Sequence, residues 1–144
     1  MTIVLDASVA VKLFLADEQG HEQALALLDA EAASGDTLMA PDILVAEVGH
    51  ALLGAARRGR IPRESVAAAV LALVDLDLAI VSSADLVALA VGVAIPTGLS
   101  VYDALYLVAA EARGAQLITA DRRQYEAGLA TGRNVAWLAD LPLV

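Results

Sequence analysis

Short, nearly uninterrupted apolar runs alternate along this chain with longer segments in which apolar and polar residues recur at helical spacing. The runs cover residues 2–5 (TIVL), 37–40 (TLMA), 78–81 (LAIV), 116–119 (QLIT) and, more weakly, 134–137 (NVAW). Between them lie SVAVKLFLADE, HEQALALLDAEAAS, DILVAEVGHALLGAARR, RESVAAAVLALVD, ADLVALAVGVAI, SVYDALYLVAAEAR and RRQYEAGLA. Runs without polar alternation read as strands buried on both faces. Their alternation with helical segments predicts an α/β domain with a mainly parallel sheet. The breakers agree: Pro62 opens a helix, Gly59 closes the one before it, Gly114 closes the helix ending in AEAR, and IPTG separates two more.

Composition narrows this reading. A length of 144 residues predicts one domain over residues 1–144, with enough chain to bury a core unaided. Hydrophobic residues make up 59% of the chain, yet no apolar run reaches the roughly 20 residues of a membrane span. The longest candidate, LVALAVGVAIP, is expected to break at Pro96. The opening MTIVLDAS has neither the basic start nor the apolar length of a signal peptide, so a soluble, cytoplasmic protein with no membrane association is expected. So little charge is available to cover the surface that an exposed apolar patch is expected, and with it a homodimer or a protein partner.

The absence of cysteine excludes disulfides, zinc ribbons, iron–sulfur clusters and thiol nucleophiles. With only His21 and His50 present, a three-histidine metal site is excluded too. Any chemistry must use mainly oxygen ligands. The net charge of −9 argues against sequence-independent duplex binding, which depends on phosphate neutralisation, but leaves a nucleic-acid substrate approached through bound cations.

Four acids stand in positions that invite either a structural or a chemical role. Asp6 and Asp121 each follow an apolar strand and precede a helix, where either could be a cap. Asp103 lies three residues after Ser100, the spacing of a capping box. Glu47 is harder to explain structurally, because Ile43, Leu44, Val45, Ala46, Val48, Ala51, Leu52 and Leu53 surround it with apolar character. An unpartnered buried carboxylate is costly. His50 at i+3 is its one local polar companion, and the second Glu-x-x-His of a di-iron bundle is missing.

Taken together the acids gain meaning. In a parallel sheet every strand-to-helix junction lies on the carboxyl edge, where ligands of such sheets bind. Asp6 and Asp121 should share that edge, with Asp103 and Glu47 in reach. Carboxylates gathered there raise one another's pKa unless a cation sits among them, and oxygen ligands favour Mg²⁺ or Mn²⁺. Such a site suits in-line displacement at phosphorus.

IVLDASVAVKLFLADE, APDILVAEVGHALL and LSVYDALYLVAAEARGAQLITAD, with acids in the order Asp, Glu, Asp, Asp, resemble the PIN-domain ribonucleases, and within them the small VapC-type toxins of toxin–antitoxin pairs. The resemblance spans nearly the whole chain. It implies a three-layer α/β/α fold with a central, mainly parallel sheet. It also implies a Mg²⁺- or Mn²⁺-dependent endoribonuclease that leaves 5′-phosphate and 3′-hydroxyl ends, a homodimer, an RNA substrate and a cognate VapB-like antitoxin seated in the active-site groove. The family's acidic metal-binding quartet falls on Asp6, Glu47, Asp103 and Asp121, and its small hydroxyl positions on Ser8 and Thr119. Leu13 stands where a tryptophan is frequent, and His50 where an asparagine or another residue often follows the glutamate.

Candidates for RNA contact are Arg122 and Arg123 beside Asp121. Arg57, Arg58, Arg60 and Arg63 read either as RNA contacts or as a solvated helix end complementing its dipole. Tyr102, Tyr106 and Tyr125 are expected in the core or an interface. A HAD-like phosphatase would need an acid where Ser8 stands, and a receiver domain a late lysine where the chain's only lysine is Lys12. The remaining alternative is a catalytically silent PIN-like module that binds RNA or protein.

Overall fold

The computed structural model describes residues 1–143. Strands β1 (Thr2–Leu5), β2 (Thr37–Pro41), β3 (Leu78–Val81), β4 (Gln116–Thr119) and β5 (Val135–Trp137) form one sheet in the order β3-β2-β1-β4-β5. Every pairing is parallel, so the mainly parallel sheet expected from the apolar runs is fully parallel. Helices α1 (Ala7–Ala10), α2 (His21–Ser34), α3 (Leu44–Arg57), α4 (Glu64–Val74), α5 (Val87–Thr97), α6 (Val101–Ala112) and α7 (Arg122–Ala130) complete a three-layer α/β/α arrangement. A 3₁₀ turn, Val11–Phe14, extends α1.

The two central strands explain the core. Val4, Leu5, Leu117 and Ile118 are fully buried, as side chains on both faces of a helix-covered parallel sheet must be. Against β1, β2 and β4 lies α6, with α5 on its outer side. That sandwiched position accounts for its unbroken buried run from Ala104 to Ala110, a helix apolar all round.

Topology then creates a crevice. From β1 the chain winds outward to β2 and β3, and returns to lay β4 on the other side of β1. Between the carboxyl ends of β1 and β4, which are in register at Leu5 and Ile118, lies the switch point where open α/β sheets bind ligands.

Helix ends follow the glycine and proline signals, with one exception. Gly59 takes φ +74° and lets the Arg60 N–H reach the Ala55 carbonyl at 2.9 Å, closing α3. Pro96, however, does not break its helix. It sits in the last turn of α5, which runs on to Thr97 and closes at Gly98. The residue at i−4, whose carbonyl the proline ring crowds, is Gly92, and Thr97 Oγ1 donates to the Val93 carbonyl at 2.7 Å.

Apolar side chains also face outward. Leu71 and Val74 of α4, Ile80 of the edge strand β3, and Val87, Leu89 and Ile95 of α5 are exposed. Among the described residues no single helix is both long and apolar enough to cross a membrane.

Packing makes opposite predictions for two helical glycines. A Cβ on Gly128 in α7 would lie 2.8 Å from Val135 Cγ1 and 3.2 Å from Leu107 Cδ2, whereas one on exposed Gly92 meets nothing within 4 Å. Gly128→Ala should therefore destabilise the protein by about 1–2 kcal/mol through overpacking. Gly92→Ala should stabilise it by up to about 1 kcal/mol through helix propensity. Urea denaturation of the two variants measures both signs.

Candidate active site

Asp6 ends β1 and caps α1. Only 4% exposed, it needs partners for its charge, and the fold provides them from two elements, α1 and α7. Its Oδ2 accepts the Ser8 N–H at 3.0 Å and the Ser8 hydroxyl. Oδ1 accepts Nε2 of Gln124 at 3.1 Å. The Ser8 hydroxyl in turn accepts the Ala120 N–H at 2.9 Å, tying the start of α1 to the loop after β4.

Thr119, fully buried at the end of β4, has one hydroxyl proton to give. Gln124 Oε1 receives it at 2.6 Å, while the same hydroxyl accepts the Asp121 N–H at 3.0 Å. Asp121 caps α7 by accepting the Gln124 N–H at 3.0 Å. Both strand-end acids are thus helix caps as well as members of the cluster, so the two readings offered by the sequence do not compete.

Asp103 departs from its expected cap role. Its N–H donates to Ser100 Oγ at 3.1 Å, which is half of a capping box. Among the described residues no bond returns from the Ser100 N–H to the Asp103 carboxylate, so that carboxylate is not spent on the cap. It sits half-buried in the first turn of α6, near Arg123, whose Nη2 donates to the Gly98 carbonyl at 3.0 Å.

Glu47 lies in the first turn of α3, and the segment around it is less enclosed than its apolar composition suggests. Only one face of α3 packs inward, through Leu44, Val48, Leu52, Ala55 and Ala56; Ala46, Ala51 and Leu53 are exposed. His50 is exposed and is not its companion. The companion is Tyr106, whose buried hydroxyl donates to Glu47 Oε1 at 2.8 Å across the site. Tyr106 stands one turn beyond Asp103 on α6, so the two share a face. The spacing was visible in SVYDALY, but nothing in the sequence paired that tyrosine with Glu47.

Gln124 is the residue that sequence reasoning missed. It is fully buried and touches all three aspartates: its N–H meets Asp121, and its side-chain amide meets both Asp6 and, at 3.0 Å, the Asp103 carbonyl. Two acceptors face Nε2 and one hydroxyl faces Oε1, so only one amide orientation satisfies every group. The available signal was Asp121-x-x-Gln124, a capping-box spacing. The structure uses it differently, because Thr119 takes the Asp121 N–H and frees the glutamine side chain to reach Asp6.

The acids feel one another. Burial raises the pKa of Asp6, offset in part by Ser8 and Gln124, with Asp121 adding to the rise. Asp103 is raised by burial and then by the charges of Asp121 and Asp6, with Ser100 and Arg123 opposing. Glu47 is raised by burial, lowered by the Tyr106 hydrogen bond, and raised again by Asp6 and Asp103. Even so, among the described residues no three Asp, Glu or His side chains stand close enough to hold an ion between them as they lie.

The arginines divide. Arg60 pairs with Asp17 and Glu18 at 3.2 and 3.3 Å and serves the surface, while Arg57, Arg58 and Arg63 are exposed. Asp103 feels Arg123 as a nearby positive charge, while the Arg122 guanidinium lies over the Trp137 ring with Cζ 4.7 Å from its centroid.

An all-parallel five-stranded sheet with acids clustered at its switch point defines a class of α/β protein with a candidate ion-dependent site. The PIN domain sequence profile matches residues 3–129, and the chain belongs to the PIN domain family. Among solved structures it is similar to PAE2754 from Pyrobaculum aerophilum, with TM-score 0.63 and 22% identity over 88% of this chain and 79% of that one. It is also similar to VapC20 of Mycobacterium tuberculosis, described as a sarcin–ricin loop cleaving toxin, with TM-score 0.67 and 20% identity over 88% and 95% of the two chains. A search of curated protein sequences returned no match.

The raised carboxylates carry a stability prediction. A raised acid is still protonated in the folded state where the unfolded chain has lost its proton. Its favourable contribution is therefore present below the ordinary carboxylate range, about pH 4, and is lost as pH rises through the raised folded values. Asp103→Asn removes one such group. In EDTA the variant should melt above the parent at pH 7, with the gap narrowing as pH falls toward about 4. Calorimetry across that range measures it.

Proposed function

We propose that this chain is a Mg²⁺- or Mn²⁺-dependent endoribonuclease and acts in the cytoplasm as the toxin of a VapBC-type pair. The observation that carries the reading is the gathering of Asp6, Glu47, Asp103 and Asp121 at the switch point of a PIN fold, where burial first and neighbouring acids second raise the pKa of Asp6, Glu47 and Asp103. The likeness to VapC20 supports the toxin assignment.

The donor set fits a hard divalent cation. It is all oxygen, and the acids repel one another in a way that a cation would relieve. Among the described residues no three acids could hold an ion between them as they lie, so an ion here would take one or two carboxylates directly and keep several waters. Such an ion, when bound, supplies water activation and charge neutralisation for in-line displacement at phosphorus.

The chain's own part is positioning. Ser8 and Gln124 fix both oxygens of Asp6, Tyr106 fixes one oxygen of Glu47, and Thr119 fixes the turn that presents Asp121. Asp103 keeps its carboxylate free of the cap. Arg123, a nearby positive charge for Asp103 that keeps one Nη2 bond to the Gly98 carbonyl, would meet a substrate phosphate with its remaining N–H groups.

The exposed apolar residues of α4, β3 and α5 support a homodimer, because a monomer rarely leaves so many in the open. A VapB-like antitoxin is the proposed protein partner at the active-site groove.

Asp6→Asn or Asp103→Asn should lower Mg²⁺- or Mn²⁺-dependent cleavage of single-stranded RNA by at least about a hundredfold, the scale of losing one transition-state-stabilising group. Circular dichroism should stay native. Parental activity in either variant, or in excess EDTA, would refute the reading and favour a silent binding module.

A further inference from the structure

Trp137 is the chain's only tryptophan and ends β5 in register with Thr119 of β4. The indole therefore stands on the carboxyl edge, one strand over from the Thr119–Asp121 turn. Arg122 lies over it, with Cζ 4.7 Å from the ring centroid, and Tyr125 supports it at 5.5 Å with the rings tilted by 50°. In front opens a cleft of about 460 Å³ lined by Lys12, Glu18, Gln19, Ala120, Arg122 and Trp137, among others. That volume lies in the range of small-ligand sites.

The cations of this cleft differ in availability. Lys12 is committed to Glu18 and to the Gln19 carbonyl, each at 2.9 Å. Arg122 is exposed and has no carboxylate partner among the described residues. The cation–π contact with the indole anchors the guanidinium, and among the described residues its N–H groups donate to no protein acceptor.

We propose that Trp137 and Arg122 form a subsite for one nucleotide of single-stranded RNA, the base against the indole–guanidinium stack and its phosphate on Arg122, next to the acidic cluster. The inference rests on the ribonuclease reading and adds to it where the RNA is gripped. Charge makes such a grip necessary. A chain of net charge −9 repels RNA as a whole, so affinity must come from a local cation and from stacking, which is indifferent to net charge. Bases of single strands stack on aromatic rings and on arginine planes alike. Ala120 lines the cleft and directly precedes Asp121, so a strand seated here runs into the site.

The single tryptophan makes the test direct. Full-length Asp103→Asn protein is titrated with a short single-stranded RNA of random sequence, reading indole fluorescence. Anisotropy of the same RNA carrying a dye is read in parallel. The fluorescence should change along the anisotropy isotherm, and an abasic strand of equal length should bind more weakly and leave it unchanged. Trp137→Ala should weaken binding by about 5- to 150-fold, the range for losing one stacked base, with Trp137→Phe recovering most of it.

RNA that binds by anisotropy without altering the indole signal would overturn the subsite and leave the ribonuclease reading intact, as would equal responses to normal and abasic strands. Absence of any RNA binding by anisotropy would overturn both. The fluorescence arm needs no Trp137 variant, so the outcome stands even if Trp137→Ala fails to fold.

Discussion

Everything at the carboxyl edge depends on keeping one buried carboxylate satisfied. Asp6 is nearly inaccessible at the end of a central strand, where an unpartnered charge would cost several kcal/mol. Its partners come from the start of α1 and from α7, and the same groups brace the turn after β4. A requirement at one oxygen pair therefore fixes how β1, β4, α1 and α7 meet. The parallel sheet makes this arrangement available, since it delivers the ends of β1 and β4 side by side at the point where the winding direction reverses.

The same arrangement leaves the cluster poised against itself. Hydrogen bonds lower the cost of ionising Asp6 and Glu47, while burial and neighbouring acids raise it, and the net direction for both is upward. Polar satisfaction without charge balance is an arrangement that the proposed cation would relieve. It also implies a conflict between stability and function, because neutralising an acid relieves repulsion while removing a proposed ligand.

Much of this architecture was legible in the sequence. The five strands fall where apolar runs occur because central parallel strands tolerate no polar alternation. Asp6 and Asp121 were visible as strand-end acids, and Glu47 as an acid in apolar company. Pairings across the fold were not legible. Tyr106 looked like core and is core, yet its hydroxyl is the partner of Glu47. Gln124 looked like one more polar residue in RRQYEAG, and only the docking of α7 against β4 and α6 buries it. Pro96 failed as a breaker because it arrives in the last turn of its helix, which closes two residues later at Gly98.

The central claim, that the acids at the switch point bind a divalent ion, is tested most directly by counting free Mn²⁺ by electron paramagnetic resonance as apo protein is added at neutral pH. The parent protein should sequester Mn²⁺ and Mg²⁺ should displace it. Asp6→Asn should weaken that binding by at least about tenfold, no less than the loss of an outer-shell partner causes. Equal Mn²⁺ binding by a folded Asp6→Asn protein, or none by the parent, would contradict the account.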